Sequence, residues 1–181
     1  MELASQQTLQ VSQADAWAAL NDISLLQQCI PGCESINPIG ENQYEVMVMA
    51  AVGPVKAKFK GKLKLENLQP PHSYTLQFEG QGGAAGHGKG SAEVMLAPIS
   101  AHVTQLNYKA KASVGGKIAQ IGSRLVDMAA QKMAGEFFAA FTVKLEERHP
   151  RPAEAAPAPA PAAPQGFFAK LVAAIKRLLG G

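Results

Sequence analysis

The residue pattern closest to a known chemical motif is the glycine-rich stretch 83–90. It reads Gly-Ala-Ala-Gly-His-Gly-Lys-Gly and nearly matches the phosphate-binding loop, in which the Lys is followed by a Ser or Thr that ligates magnesium. Here Gly90 replaces that hydroxyl residue, and a strand is predicted to follow instead of the helix whose N-terminus would bind phosphate. We therefore interpret the stretch as a glycine-rich hairpin or bulge, in which His87 could gate a pocket entrance.

Cys29 and Cys33 are the two cysteines of the chain. Two thiols alone do not make a structural zinc site, which takes four ligands, and no histidine cluster accompanies them. The N-terminus has neither a basic nor an apolar region of the kind found in secretory signals, so we expect a cytoplasmic protein without disulfides. We interpret both residues as free thiols packed around the Pro31-Gly32 corner.

Side chains suited to catalysis are missing from the predicted inner face of the strands. His72 and His102 fall at predicted turns, and Glu45, Glu79 and Glu93 have outward positions in their strands. General acid–base and nucleophilic chemistry both need such groups within reach of a bound substrate. The pattern therefore predicts a protein that is not an enzyme.

Three tyrosines do point inward by strand parity, namely Tyr44, Tyr74 and Tyr108. Each would bring one hydroxyl into an otherwise apolar interior. Two interpretations stay open: at least one hydroxyl faces a ligand, or the hydroxyls reach the rim and bond water.

The strands that position these side chains are clearest at 43–52 and 55–67, which are separated by Gly53-Pro54. A tight hairpin there makes Val48 face Phe59 on the inner side of the sheet. On the outer side, Glu45 faces Lys62. The outer face then carries a row of lysines with two methionines among them: Lys56, Lys58, Lys60, Lys62, Lys64, Met47 and Met49. This row is either a solvated face or a docking surface, for which we select Met47, Met49, Lys58 and Lys60.

The remaining elements complete an α+β fold. A first strand is followed by two short helices, the first with Ser12 as N-cap, and a run of strands over 35–114 leads to Gly115-Gly116. One long helix is predicted over 117–147, and it must cover one curved antiparallel sheet. Its expected apolar stripe consists of Ile118, Ile121, Leu125, Met128, Ala129, Met133, Phe137, Phe141 and Leu145.

The charge of the chain is concentrated in its last residues. Residues 1–148 contain 13 Lys plus Arg and 13 Asp plus Glu, so the net charge of +3 belongs to the tail. A neutral body argues against nucleic-acid binding, which needs many basic residues facing phosphates. No apolar run reaches the roughly 18 to 20 residues of a spanning helix, so any membrane contact is expected to be peripheral.

The tail divides into a spacer at 149–165 and a helix at 166–181, after a ligand-binding domain at 1–148. The spacer is mostly Pro and Ala, and its 15 residues 150–164 could extend roughly 45 Å. The helix is expected to bind an anionic membrane surface, because one arc is apolar and the opposite side is basic. A partner groove or the domain's own core are the alternatives. The membrane-binding residues are Phe167, Phe168, Lys170, Leu171, Val172, Ile175, Lys176, Arg177, Leu178 and Leu179.

Several segments resemble one protein family. They are Val11-Ser12, 17–22 (Trp-Ala-Ala-Leu-Asn-Asp), 29–34 (Cys-Ile-Pro-Gly-Cys-Glu), 52–61 (Val-Gly-Pro-Val-Lys-Ala-Lys-Phe-Lys-Gly), 114–122 and Phe137-Phe138. Together they resemble the carbon monoxide dehydrogenase G-subunit family of the START/polyketide-cyclase-like (SRPBCC, helix-grip) superfamily, over roughly residues 1–147. The resemblance implies a strand, two short helices, a six-stranded sheet and a long C-terminal helix around a deep apolar cavity. It also implies an accessory protein of molybdenum-containing carbon monoxide dehydrogenases or related hydroxylases at the cytoplasmic membrane.

These observations lead to one functional prediction. The protein recruits such a dehydrogenase to the inner face of the membrane and binds a hydrophobic small molecule, a respiratory quinone such as menaquinone or ubiquinone, without a covalent cofactor. The alternatives are a pure recruitment scaffold or assembly factor without ligand binding and, third, a cyclase-type enzyme. The predicted ligand-binding residues are Tyr44, Val48, Phe59, Tyr74, Leu76, Phe78, Leu106, Tyr108, Leu125, Met128, Phe137 and Phe141.

Overall fold

A computed structural model describes residues 1–150; the predicted terminal helix and nearly all of the predicted spacer lie outside this range. The predicted boundaries of the three segments therefore stay predictions. The strands are β1 (Glu2–Leu9), β2 (Cys33–Gly40), β3 (Gln43–Val52), β4 (Val55–Gln69), β5 (Ser73–Gln81), β6 (His87–Ser100) and β7 (Val103–Gly115). The helices are α1 (Gln13–Leu20), α2 (Ile23–Cys29), α3 (Lys117–Gln120) and α4 (Ser123–Arg148).

The strands form one antiparallel sheet in the order β1-β7-β6-β5-β4-β3-β2. Each of the strands β2 to β6 pairs with the next strand along the chain, and β1 pairs with β7. This curved seven-stranded sheet and its long C-terminal helix confirm the predicted α+β helix-grip architecture.

The β3–β4 hairpin has the predicted register. Val48 is opposite Phe59, and Glu45 is opposite Lys62. The carboxylate of Glu45, however, bonds the Lys60 ammonium at 2.9 Å rather than its directly opposite neighbour. A lysine side chain is long enough to reach a diagonal partner on the same face of a sheet, so the register alone does not determine which ion pair forms.

Both short helices begin with a side-chain cap. Ser12 accepts a hydrogen bond from the Asp15 amide, as predicted, and Asp22 accepts one from the Leu25 amide at 3.1 Å. The Asp22 carboxylate also bonds the guanidinium of Arg148, at the end of α4, at 2.6 Å. The Arg148 hydrogen bond, followed by the Leu25 amide, holds the pKa of Asp22 below its ordinary value of 3.8. This one carboxylate therefore joins the start of α2 to the end of α4.

Replacing Asp22 with alanine is expected to destabilise the domain by about 1 kcal/mol, because the helix cap is lost. Arg148→Ala is the matched control: it removes the exposed ion pair but keeps the cap, and should cost less than about 0.5 kcal/mol. Because the pKa of Asp22 is lower in the folded state, its contribution is present above the unfolded carboxyl pKa and is lost as the pH falls through the folded value. Urea denaturation of both variants at neutral and acid pH measures these effects. Equal losses in the two variants would contradict the capping role.

The C-terminal helical region differs from the single helix predicted over 117–147. It is interrupted at Ile121 and Gly122, between α3 and α4. Gly122 has a φ of 97°, a conformation that residues with a Cβ rarely adopt, so an α-helix cannot run through it. The short α3 therefore ends the sheet region, and α4 begins anew at Ser123.

The buried side of α4 also differs from the predicted stripe. Val126 is buried, whereas Leu125 and Met128 are 42% and 58% exposed. The predicted stripe used mostly four-residue steps, and each such step advances about 40° beyond a full turn. Leu125 precedes Phe141 by sixteen residues, so it points about 160° away from it, while Val126 lies within about 60°. The predicted stripe was wrong at Leu125 and Met128 for this reason, whereas Ile118 is buried as predicted.

The core is formed where α1, α2 and the C-terminal half of α4 pack on the sheet. Its fully buried members include Leu9, Leu25, Leu106, Phe141 and Leu145. Within residues 1–150, none of the helices combines the length and the apolar composition needed to cross a membrane.

Candidate ligand-binding cavity

An apolar cavity of about 340 Å³ lies between the concave face of the sheet, the short helices and the middle of α4. Every strand from β1 to β7 contributes to its wall, and neighbouring positions on one strand contribute at two-residue intervals, as strand alternation requires. The lining residues are Leu3, Leu20, Asn21, Ile23, Leu26, Ile30, Ile36, Tyr44, Leu63, Leu65, Tyr74, Leu76, Ala92, Val94, Leu106, Tyr108, Ala110, Ala134, Phe137 and Phe138.

Aromatic rings of α4 form one wall of the cavity. Phe137 and Phe138 meet edge to face with centroids 5.0 Å apart, and Phe138 stacks on Tyr108 of β7 at 5.2 Å. Phe137 also stacks on Phe141, which lies deeper in the core, at 5.5 Å. These ring contacts pack Phe137 and Phe138 against the core and against β7.

The cavity lining is uncharged within the part of the chain that the structure describes. None of the lining residues is Asp, Glu, Lys, Arg or His; the polar ones are Asn21 and the three tyrosines. The Asn21 side chain donates a hydrogen bond to the Trp17 carbonyl at 2.8 Å, which holds its amide against α1. A charged molecule would lose its hydration here without gaining a partner, so the chemistry of the lining favours a neutral, mostly apolar ligand.

Tyr74 is the most deeply placed of the three tyrosines. It is 8% exposed, and its ring meets Trp17 edge to face at 5.6 Å. Burial raises the pKa of Tyr74 to about 12, so its hydroxyl keeps its proton throughout the physiological range. Burial also raises the pKa of Tyr108, while a hydrogen bond with Ser5 on the neighbouring strand acts in the opposite direction.

The structure brings six of the twelve predicted ligand-binding residues together around the cavity: Tyr44, Tyr74, Leu76, Leu106, Tyr108 and Phe137. All three inward tyrosines are among them. Their strand positions follow from the period of two in a β-strand, which is a local property of the backbone. Whether they contact a ligand stays a prediction.

The other predicted residues of the sheet and core lie outside the cavity. Val48 and Phe59 are beyond its edge, towards the β3–β4 turn, and the Phe59 ring packs against Gly82. Phe78 packs over Gly90 of the next strand. Phe141 is 0% exposed in the core. These residues have the predicted inward orientation but the wrong position along the sheet or behind the wall.

Leu125 and Met128 were also predicted to bind the ligand, and the structure does not place them at the cavity. Both lie on the exposed side of α4 for the rotational reason given above, and neither lines the cavity. Leu125 lies instead beside the β3–β4 turn at Gly53.

Of the fourteen lining residues that the sequence prediction missed, seven come from strands and five come from the short helices and the residues that end them. Ile23, Leu26 and Ile30 close the cavity opposite the sheet. They are separated by three and four residues, the spacing of one helix face, so the pattern could have been recognised in the sequence. It could not show that this face covers the cavity, since that depends on how α2 packs.

The predicted docking residues lie on the outer side of the β3–β4 hairpin. Met47 and Met49 are half-buried, and Lys58 and Lys60 are paired with Glu34 at 2.7 Å and Glu45 at 2.9 Å. These ion pairs make the surface less positively charged than the row of lysines in the sequence indicated. A partner-binding role for these four residues stays a prediction.

The glycine-rich stretch and the cysteines have the local structures expected. A short 3₁₀ turn at Gly83–Ala85 leads directly into β6, so no helix N-terminus follows the loop. His87 is exposed, with its ring against Gly115. Cys29 and Cys33 are free, and burial raises the pKa of both thiols, which makes them poor nucleophiles.

Comparison with known proteins identifies the family. Residues 6–146 match the family model of the G subunit of carbon monoxide dehydrogenase (CoxG). The chain belongs to the CoxG family. A conserved protein from Geobacillus kaustophilus is 31% identical, with a TM-score of 0.77 over 81% of this chain and 96% of that one. None of the curated proteins compared with the chain matches it.

More distant structures share the fold. A START superfamily protein from Mycobacterium smegmatis has a TM-score of 0.64 at 12% identity, over 81% of this chain and 98% of its own. The Zhui aromatase/cyclase from Streptomyces sp. R1128 has a TM-score of 0.62 at 12% identity, over 82% and 94%. The predicted family and the START-like fold of this CoxG protein are thus confirmed. Together they suggest an accessory protein that binds a hydrophobic ligand, and the family name implies association with carbon monoxide dehydrogenase.

Proposed function

We propose that this CoxG protein is a non-catalytic accessory protein that binds a respiratory quinone, either menaquinone or ubiquinone, in its apolar cavity. It links a molybdenum-type carbon monoxide dehydrogenase or related hydroxylase to the inner face of the cell membrane, where quinones are dissolved. The observation that carries this proposal is the uncharged cavity of about 340 Å³ with an aromatic wall.

The properties of the cavity fit a quinone in three respects. The lining is uncharged, and a quinone is neutral. The aromatic side chains of α4 and β7 offer faces and edges for a planar ring. The volume is near the lower end of small-molecule sites, about 300 to 1,000 Å³, which suits a quinone ring with the first part of its apolar chain. Electron transfer would then use the bound or delivered quinone as acceptor.

The lining also argues for binding rather than catalysis. The Zhui cyclase shares the fold, but within residues 1–150 of this chain the cavity wall carries no carboxylate, histidine or lysine that could move a proton. The thiols of Cys29 and Cys33 are not among the lining residues either.

The membrane part of the proposal depends on the sequence of 166–181. Its basic residues Lys170, Lys176 and Arg177 are not accompanied by any acidic residue, and each basic residue near an anionic surface contributes about 1 kcal/mol. The body of the protein is electrically balanced, so this attraction would come from the tail.

Ligand extraction from the purified full-length protein tests the first half of the proposal. We expect mass spectrometry of an organic extract to detect a quinone in amounts comparable with the protein, and the emptied protein to take up quinone on titration. An empty cavity that takes up no quinone would contradict quinone binding.

A variant lacking 166–181 tests the second half. It should retain quinone binding but lose co-sedimentation with vesicles that contain anionic lipid. Replacing Lys170, Lys176 and Arg177 by glutamine is the control that keeps the apolar residues, and it should weaken binding most at low salt. Recruitment without quinone binding in either form would instead identify a pure scaffold.

A further inference from the structure

The hydroxyl of Tyr74 is the feature of the cavity that packing leaves unexplained. The residue is 8% exposed, yet its hydroxyl has no hydrogen-bond partner within residues 1–150. Leaving a buried hydroxyl without a partner costs about 1 to 3 kcal/mol, so structures usually provide one.

The position of this hydroxyl can be deduced from the surrounding residues. Within residues 1–150, every side-chain oxygen or nitrogen that is completely shielded has a hydrogen-bond partner. Because the Tyr74 hydroxyl lacks one, it must retain contact with open space. The space that Tyr74 lines is the apolar cavity.

The other polar side chains of the cavity either have a hydrogen-bond partner in the protein or can be reached by water. The Asn21 amide nitrogen already donates to the Trp17 carbonyl, and Tyr108 has Ser5 as a hydrogen-bonding neighbour. Tyr44 is half-buried, so water can satisfy its hydroxyl. Tyr74 is therefore the deeply buried donor that a bound molecule would satisfy.

We propose that Tyr74 determines which apolar molecules the cavity accepts, by donating a hydrogen bond to an uncharged oxygen such as a ketone carbonyl. The inference rests on the proposed quinone-binding function and deepens it, because it assigns the residue that recognises a carbonyl oxygen of the ligand. Hydrocarbons leave the hydroxyl unpaired, and carboxylates are disfavoured because no cationic side chain of the described residues lines the wall.

The ionisation behaviour of Tyr74 agrees with a donor role. With its pKa raised by burial to about 12, the side chain stays a neutral phenol at physiological pH and does not become an acceptor-only phenolate. The edge-to-face contact with Trp17 holds the Tyr74 ring in place, so the hydroxyl adjusts mainly by rotation about its C–O bond.

A matched pair of probes tests the inference on the full-length protein. Menadione carries two ketone oxygens, and methylnaphthalene has the same ring skeleton without them. By isothermal titration calorimetry we expect the wild-type protein to bind menadione more tightly than methylnaphthalene. The Tyr74→Phe substitution should weaken menadione binding about tenfold, which corresponds to the loss of one hydrogen bond. Methylnaphthalene binding should change less than about twofold, because phenylalanine keeps the ring and its contacts.

Thr75→Val is the control, since it removes a hydroxyl from the neighbouring position of β5, which does not line the cavity. It should change menadione binding less than about twofold. If Tyr74→Phe weakens both probes equally, or neither, Tyr74 is not the anchor although the cavity binds ligands. If wild type binds neither probe, ligand binding by the cavity is contradicted together with this inference.

Discussion

Replacing Phe141 with alanine is expected to lower the free energy of unfolding by about 3 to 5 kcal/mol, the largest effect of any single truncation proposed for this protein. Phe141 is 0% exposed and stacks on Phe137 with ring centroids 5.5 Å apart. Its ring fills the core between α4 and the sheet, beneath the aromatic wall of the cavity. The variant would lose both the buried apolar surface and the close packing of the remaining side chains.

Val143→Ala is the matched control for this prediction. Val143 lies on the same helix but is 52% exposed, so its truncation should change stability by less than about 0.5 kcal/mol. Urea denaturation followed by circular dichroism measures both variants. A loss below about 1 kcal/mol for Phe141→Ala would show that α4 is not packed on the sheet as the structure describes.

Replacing Ala92 with phenylalanine is expected to abolish ligand binding while the domain stays folded. Ala92 lies on the concave face of β6, paired with Leu76 and Ala110, and all three line the cavity. A phenylalanine ring there would occupy space that a ligand needs. Overpacking a filled core costs about 1 to 3 kcal/mol, but here open volume can receive the ring, so the cost should be smaller.

The control for cavity filling is Ala97→Phe on the same strand. Ala97 is exposed on the outer face, where a larger side chain meets solvent, so ligand binding should be unchanged. Quinone titration and thermal unfolding of both variants are the measurements. Undiminished binding by Ala92→Phe, with the fold intact, would mean that the ligand binds outside this cavity.

Strand alternation made much of the sheet predictable. The β3–β4 register follows from the short Gly53-Pro54 turn, because each residue added on one strand is matched by one on the other. The inward placement of Tyr44, Tyr74 and Tyr108 follows from the period of two within each strand. The cap at Ser12 is likewise local, since a cap and its amide are only three residues apart.

Which side of α4 faces the sheet was harder to predict, because a small error in the assumed number of residues per turn accumulates over sixteen residues. Four-residue steps from Phe141 back to Leu125 accumulate an error of about 160°, enough to exchange the buried side for the exposed one. Gly122 also interrupts the helix, and the spacing of the apolar residues did not predict this interruption.

Local patterns in the chain were therefore enough to predict the fold class, the faces of the strands and the uncharged character of the interior. They were not enough to predict which inward residues share one cavity, because position along a curved sheet depends on how distant strands and helices pack. The same holds for Ile23, Leu26 and Ile30, whose apolar face becomes a cavity wall when α2 is placed over the sheet. It holds most clearly for Tyr74: its inward direction is local, but the absence of a hydrogen-bond partner within residues 1–150 depends on every neighbour that surrounds it.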